Sequence, residues 1–410
     1  MQKKHSFPGI LVRYKNLAED CFHSVNCKCF ENDKNKDASD SQSEGNAQPS
    51  SENNDGKTKI NETILDDELH VNLWEMGENN RSPFMDVGVM ISQHSAIDEV
   101  VIDLPWEVDK NDINDLGTKL NSEKSVAAIF NEVVHYDGLA EGNSANISFR
   151  RNDQDQKPFC LFRLNSQSFR IESIPISNGT LTSRVYVKIP KHKKTSKEDE
   201  RKSGYIRLRI KNIPSTVYTN YFSYSDKAFI SSNIETRIID FRINVMRGVP
   251  EELMHGNEDL TFPKKLKRIH CFLTTIRNEE CVSVSKYYNG YRSLVDEDIW
   301  NEYIKLDDSL PLKKQNTINN YLGYQWTIKS EKEEVIKDLI VLGRFSKKTS
   351  NRLSIIRFII IVILLGALGG GVWEILGLIM KNSYYKFFTL GSITAFVCTI
   401  LNLPDKRSSD

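Results

Sequence analysis

Few residues of this 410-residue chain stand at spacings that catalysis demands. There is no GxxxxGK phosphate loop, no GxGxxG, no HExxH, no GxSxG and no CxxC pair. His135-Tyr136-Asp137 sets an imidazole beside a carboxylate, a pairing suited to proton transfer. The spacing places it after a predicted helix, where a His also serves the helix dipole. The acid pairs Asp66/Asp67 and Asp307/Asp308 would suit a membrane-tethered hydrolase, but no motif orders them. Cys21, His23, Cys27 and Cys29 form a donor set that zinc favours. Their spacing is cramped and lacks a return pair, and ordinary thiols or acylation sites fit the same residues. No catalytic residue, metal or cofactor is assigned from these groups.

The stronger candidate is a basic block. From Arg184 to Lys211 there are 11 basic and 3 acidic residues, whereas Glu31 to Leu120 carries 21 acidic and 7 basic. Such asymmetry favours an anionic partner or pairing of opposite faces. In Tyr205–Lys211, Ile206, Leu208 and Ile210 alternate with Arg207, Arg209 and Lys211. On a strand that alternation makes a row of cations about 7 Å apart. Lys188 belongs to a similar ribbon, Arg184–Ile189. We therefore assign Lys188, Arg207, Arg209 and Lys211 to a nucleotide or oligonucleotide ligand. Loop lysines 191, 193, 194 and 197 would add attraction, and Tyr205, Tyr218, Tyr221, Phe222 and Tyr224 could stack bases. Edge-strand protection or attraction to a membrane surface reads the same residues differently.

Stepping outward, short alternating segments rich in β-branched residues dominate to about Leu310. They predict strands at Asp86–Ile91, Val100–Leu104, Phe159–Leu164, Phe169–Ile174, Thr236–Val245, His270–Thr274 and Cys281–Ser285. Turns are expected at Asn178-Gly179 and Asn289-Gly290, and a charged hairpin loop at Pro190–Gly204. Helices are expected at Ile113–Leu120, Ser125–Val134, Glu297–Ile304 and Glu331–Leu342. The fold class is a mainly β cytosolic region, an antiparallel sandwich or barrel-like structure of one or two subdomains. It ends in a C-terminal two-helix transmembrane hairpin.

That hairpin is the plainest feature. Phe358–Met380 is an apolar run of twenty-three residues with one charge, Glu374. A polar turn (Lys381–Lys386) leads to a second apolar run, Phe387–Leu403. About 20 apolar residues span a bilayer core, so the first run suffices and the second, about 26 Å long, is short but adequate. A buried core helix or a re-entrant hairpin broken at Gly369-Gly370-Gly371 competes with this reading. Arg344, Lys347, Lys348, Arg352 and Arg357 precede the first run, and Lys406 and Arg407 follow the second. The positive-inside bias puts both termini in the cytoplasm, with two spans in the cell inner membrane. The opening residues show no secretory signal, and seven scattered cysteines suit a reducing compartment.

Gly366 and Gly370 form GxxxG, and Ser392 and Thr399 belong to a small-polar stripe in the second run. With Glu374 as an intramembrane acid, these residues predict packing between hairpins around a polar seam. The partners expected are the lipid bilayer, other copies of this chain, and a ligand or protein bound by the β region. Boundaries follow: an N-terminal segment at 1–30, a disordered linker at 31–60, the β-rich sensor domain at 61–328, a juxtamembrane amphipathic and basic helix at 329–352, two transmembrane helices at 353–403, and a tail at 404–410.

A large cytosolic domain followed by a terminal hairpin resembles, in layout, the bacterial membrane effectors of abortive anti-phage systems. The resemblance implies a ligand-gated, non-enzymatic oligomer that permeabilises the membrane. It carries no residue roles. The alternative is a membrane-anchored scaffold that holds a β-domain for a protein partner.

Overall fold

In the computed structural model the described residues are 5–17, 66–75, 83–140, 144–151, 154–155, 158–177, 179–191, 203–225, 232–254, 258–305, 317–330, 334–350, 352–379, 384–385, 387–388, 391–392 and 395. They are mostly strand, with one long apolar helix near the C-terminus. Cys21, His23, Cys27, Cys29, the 31–60 linker, Lys193, Lys194, Lys197, Asp307, Asp308, Thr399 and the tail lie outside them.

The first sheet has five strands, ordered β10 (Phe169–Pro175), β11 (Leu181–Lys188), β4 (Ile97–Leu104), β1 (Leu11–Asn16) and β15 (Leu260–Thr261). The second has eleven. Its main path is β18 (Tyr288–Arg292), β19 (Tyr321–Lys329), β16 (Leu266–Ile276), β2 (Asp67–Trp74), β3 (Phe84–Ile91), β12 (Ser203–Ile210), β9 (Phe159–Phe162), β7 (Ser144–Arg151) and β6 (Val134–Ala140). Off it, β5 (Ile113–Asp115) pairs with β12 and β8 (Gln154–Asp155) with β7. A third sheet runs β13 (Thr219–Ser225), β14 (Ser232–Ile243), β20 (Leu339–Ser350) and β17 (Glu280–Val284). The pairs β2–β16 and β9–β12 are parallel, so the sheets are not purely antiparallel.

Period-two alternation divides the large sheet into two faces. Leu69 and Val71 of β2, Val87 and Val89 of β3, Ile206 and Leu208 of β12, and Ile269 and Leu273 of β16 point one way. They share a core with Val12, Val100, Ile102, Val185 and Val187 of the five-stranded sheet. Two sheets thus pack face to face, each contributing alternate residues. The opposite face carries Trp74, Met90 and Tyr205, covered by α1 (Glu123–Phe130) and α2 (Glu297–Ile304) through Val126, Trp300, Tyr303 and Ile304.

Several expectations need correction. The β-rich region does not begin at 61: Leu11, Val12, Arg13 and Tyr14 are buried in β1. Arg13 and Arg184 both bind the Asp103 carboxylate, at 2.5 and 2.6 Å, which stitches β1 and β11 to β4. Ile113–Leu120 does not form a helix. Leu116 N–H donates to the Arg207 carbonyl at 2.9 Å, so this backbone pairs with β12 instead of itself. The second helix is shorter than Ser125–Val134: Ser122 caps it, and Asn131 ends it in the left-handed region at φ 56°. The juxtamembrane helix of 329–352 is absent among the described residues. Ile336 N–H donates to Leu266 O at 2.8 Å, and Leu339–Ser350 is a strand. Leu339, Val341 and Phe345 are buried while Leu342 is exposed, which is the period of a strand. Pro190–Gly204 joins no hairpin, because β11 and β12 belong to different sheets.

The chain divides into two compact units, Met1–Tyr221 with Arg237–Ser346, and Phe222–Thr236 with Lys347–Asp410. The second contains α3 (Arg352–Ile379), of 28 residues and hence about 42 Å long. Its window Phe358–Ile375 has mean hydropathy 2.3 and no buried residue, so it is long and apolar enough to cross a membrane. Gly366 and Gly370 face open space, and Glu374 is exposed. The Trp373 and Phe387 rings lie 5.0 Å apart. Ser392 Oγ donates to Phe388 O at 2.9 Å, an i to i−4 contact of helical spacing.

Candidate functional site: a polar cavity around Arg207

Tyr205, Arg207 and Arg209 project from β12 onto the helix-covered face of the large sheet, as the alternation predicts. They do not form an exposed row. Arg207 is 0% and Arg209 2% exposed. Arg209 grips Asp86 with Nε to Oδ1 at 2.7 Å and Nη2 to Oδ2 at 3.0 Å, and it donates to the Tyr303 carbonyl at 3.1 Å. Trp74 Nε1 and the Tyr303 hydroxyl also donate to Asp86, both at 2.9 Å. That carboxylate is therefore saturated, and Arg209 is structural. Lys211 uses its backbone N–H on Asp112 O at 2.8 Å. Lys188 is exposed in the other sheet, opposite Glu99. The four predicted cations are not one cluster. Tyr205 and Tyr218 are buried as well, so neither is an open stacking platform.

Arg207 differs from its neighbour. Nε donates to Tyr303 Oη at 2.7 Å and Nη1 to Tyr205 Oη at 3.0 Å. With its amide oxygen turned toward the guanidinium, Asn72 accepts from Nη2 at 3.3 Å. All three partners are neutral, and among the described residues no carboxylate pairs with Arg207 directly. A guanidinium has five N–H groups and stays charged at any ordinary pH. Three are used, which leaves two and an unneutralised buried charge.

Arg207 lines a cavity of about 460 Å³ on that face of the sheet. Its floor is Glu68, His70 and Asn72 of β2, Arg207 of β12, Arg268, His270 and Phe272 of β16, and Gln325 and Lys329 of β19. Phe130 and Asn131, where α1 ends, and Arg292 of β18 close the other side. Gly88 of β3 makes room for the arrangement: a Cβ there would lie 2.1 Å from Tyr205 Oη and 3.0 Å from Arg207 Nη1.

A chain of hydrogen bonds sets the protonation of the floor. Tyr205 Oη lies 3.2 Å from His70 Nδ1, and His70 Nε2 lies 3.2 Å from Glu68 Oε2. Since Tyr205 already accepts from Arg207, its proton goes to Nδ1, which fixes His70 as the Nε2–H tautomer. Burial lowers the His70 pKa against the opposing effect of Glu68. Burial, then the neighbouring His70 and Arg268, brings His270 down to about 3. Burial raises the Glu68 carboxyl, but His70 and Arg268 outweigh it and hold the group low. Arg268 Nη1 sits 3.4 Å from Glu68 Oε1. Both imidazoles are thus neutral, with ring centres 5.4 Å apart.

Arg292 is the second cation with neutral partners. Nη1 donates to Asn131 Oδ1 at 2.6 Å, the guanidinium lies 5.3 Å from the Phe272 ring, and Nε is buried without a hydrogen bond. Burial lowers its pKa. The cavity lining carries Arg207, Arg268, Arg292 and Lys329 against Asp66, Glu68 and Glu132, a formal excess of one positive charge. Such a set recognises a small anion.

Sequence reasoning found Arg207 but missed His70, His270, Arg268, Arg292 and Gly88. The readable signal was the alternation Leu69-x-Val71-x-Leu73, which puts Glu68, His70 and Asn72 on one face. His135 follows α1 but lies in β6 and not at the helix terminus, exposed between Glu123 at 3.2 Å and Asp137 at 2.9 Å. Among the described residues no three His, Cys, Asp or Glu side chains converge as metal ligands. The chain matches no protein-family model and no curated protein sequence.

Proposed function

We propose that this chain is a membrane-anchored effector. Its β-rich region binds a small anionic ligand in the Arg207 cavity and so gates an oligomeric hairpin, formed by its C-terminal apolar runs, that permeabilises the membrane. The observation that carries the ligand-binding part is Arg207 itself. A fully buried guanidinium with only neutral partners opens on a polar cavity. Against the cost of burial, the two tyrosines and Asp86 nearby help hold the guanidinium charged, and an anionic ligand would give that charge the direct partner that the described residues do not supply.

The membrane part rests on α3, whose window Phe358–Ile375 is apolar and has none of its described residues buried. The Trp373–Phe387 contact at 5.0 Å supports a chain that turns back after α3 into a second helix. Basic residues flank both runs, which favours cytoplasmic termini and an inner-membrane location. Two helices cannot enclose a pore, so permeabilisation requires several copies, with Gly366, Gly370, Ser392 and Thr399 at the contacts and Glu374 at the seam. A role in bacterial anti-phage defence accords with this layout.

The test is dye entry into bacteria expressing the full chain, compared with Gly370→Leu and Glu374→Ala. Leakage reduced by both variants supports the pore. Leakage in no condition removes it. The scaffold reading would gain if an unrelated anchor in place of residues 352–403 preserved the cellular function.

A further inference from the structure

The Arg207 cavity has a composition that narrows its ligand. We infer that it takes a flat ring bearing a single phosphate, a nucleoside monophosphate in class, with the phosphate on Arg207 and the ring against the aromatic wall. This rests on the reading of the cavity as a ligand site, and not on permeabilisation.

Three observations carry it. The first is the donor count. Arg207 offers two unused N–H groups, Arg292 a buried unpaired Nε–H, and Lys329 an ammonium at the mouth with no ion pair among the described residues. His270 Nδ1 faces the Thr327 hydroxyl at 2.8 Å, which leaves Nε2 without a partner among the described residues. Donors drawn from several strands of one cavity lining suit the three terminal oxygens of a phosphate better than the two of a carboxylate.

The second is charge. A formal excess of one, with both imidazoles neutral, balances a monoanion and offsets half the charge of a dianion. An oligonucleotide or a triphosphate would bring more negative charge than these cations offset. The bound Glu68 carboxylate on the floor would repel further phosphates. The cavity of about 460 Å³ also falls within the range of small-ligand sites, roughly 300–1,000 Å³.

The third is the wall. Phe130, His70, His270 and Phe272 form a run of ring contacts along the lining, with ring centres 5.4 Å apart for Phe130–His70 and for His70–His270, and 6.3 Å for His270–Phe272, the last pair nearly parallel at 27°. Rings at this depth give a flat ligand an apolar face to stack on. Aromatic stacking of a base contributes about 1–3 kcal/mol. A bare phosphate would leave that surface unused.

Calorimetry on the detergent-solubilised full chain tests the inference with defined probes. These are the four common nucleoside 5′-monophosphates, their nucleosides, ribose 5-phosphate, inorganic phosphate and a ten-residue oligonucleotide. At least one monophosphate is expected to bind at least tenfold more tightly than its nucleoside and than ribose 5-phosphate. Arg207→Gln is expected to weaken that binding at least thirtyfold. Should Arg207→Gln fail to fold, Lys329→Gln and Arg292→Gln, on the rim and wall, are each expected to weaken it at least threefold. Inorganic phosphate binding as tightly as every monophosphate would overturn the ring assignment. Tighter binding of the oligonucleotide, or no binding by any monophosphate, would overturn the inference entirely. Binding without dye leakage would instead leave this inference standing and sink the pore, and leakage without binding would do the reverse.

Discussion

Arg207 and Arg209 stand two residues apart on one face of one strand, and only Arg209 has a carboxylate. Asp86 takes both of its oxygens to Arg209 and reaches Arg207 only through the Tyr303 hydroxyl. Identical side chains in the same burial class therefore have opposite roles. One completes the core; the other faces a cavity with charge to spare.

The difference is measurable as stability. Asp86→Asn removes the direct carboxylate partner that Arg209 has among the described residues and also weakens the Trp74 and Tyr303 bonds. Breaking a buried pair this way costs about 3–5 kcal/mol. Arg207→Gln removes a charge with no direct ion-pair partner. It loses three hydrogen bonds from a charged donor but leaves no buried carboxylate behind, so its loss in urea unfolding is expected to be smaller than that of Asp86→Asn. Equal losses for the two variants would contradict the assigned roles.

Asp103 offers a second case. It bridges Arg13 and Arg184, and both arginines also donate to the Leu253 carbonyl. Asp103→Asn leaves two buried guanidinium groups without their shared carboxylate, and a loss of about 3–5 kcal/mol is expected in the same assay. Protease cleavage near β1 should increase in this variant, because the ion pair ties β1 to β4.

Gly88→Ala probes the cavity floor without removing a polar group. Its Cβ would displace the Tyr205 hydroxyl and crowd Arg207 Nη1. Overpacking costs about 1–3 kcal/mol, and we expect the larger effect on ligand affinity, at least tenfold by calorimetry. Unchanged affinity would show that the Tyr205–Arg207 geometry does not matter.

The two floor histidines make a pH prediction. Both have folded pKa values below the ordinary His value, with His270 near 3. The unfolded chain takes up these protons below about pH 6.5 whereas the folded chain refuses them, so stability falls as pH drops from about 6.5 toward 3. Asp115, raised by burial to about 6, acts oppositely. Its folded form protonates first, which adds stability as pH falls from about 6 to about 4. His270→Gln should therefore lose less stability between pH 7 and 5 than the parent chain does. NMR should find the His270 ring neutral at pH 5; a midpoint near 6.5 would contradict its burial.

Much of this architecture is legible in the residues because alternation has only two phases. Ile206, Leu208 and Ile210 fall on the inner face, and Ile239, Phe241 and Ile243 are buried as the pattern requires. Alternation does not reveal what covers the other face. Arg207 and Arg209 looked solvent-exposed because α1 and α2, which bury that face, come from distant segments. The Val335, Ile336, Leu339 and Ile340 spacing fits a helix turn, yet pairing with Cys281 and Ser283 holds Phe345 and Arg344 in a strand. Tertiary hydrogen bonding there overrides local period. The cavity itself draws on β2, β12, β16, β18, β19 and the end of α1, a convergence that depends on strand order and not on spacing. The long apolar helix was legible because length and composition alone define it.

The central claim is that anion binding at Arg207 acts on the membrane. Full-length chain reconstituted in dye-loaded liposomes of bacterial lipid, titrated with the tightest-binding nucleoside monophosphate, tests it most directly. The account predicts release that rises with ligand in the parent chain and is absent in a folded, inserted Arg207→Gln variant. Release equal in both proteins and indifferent to ligand would contradict it.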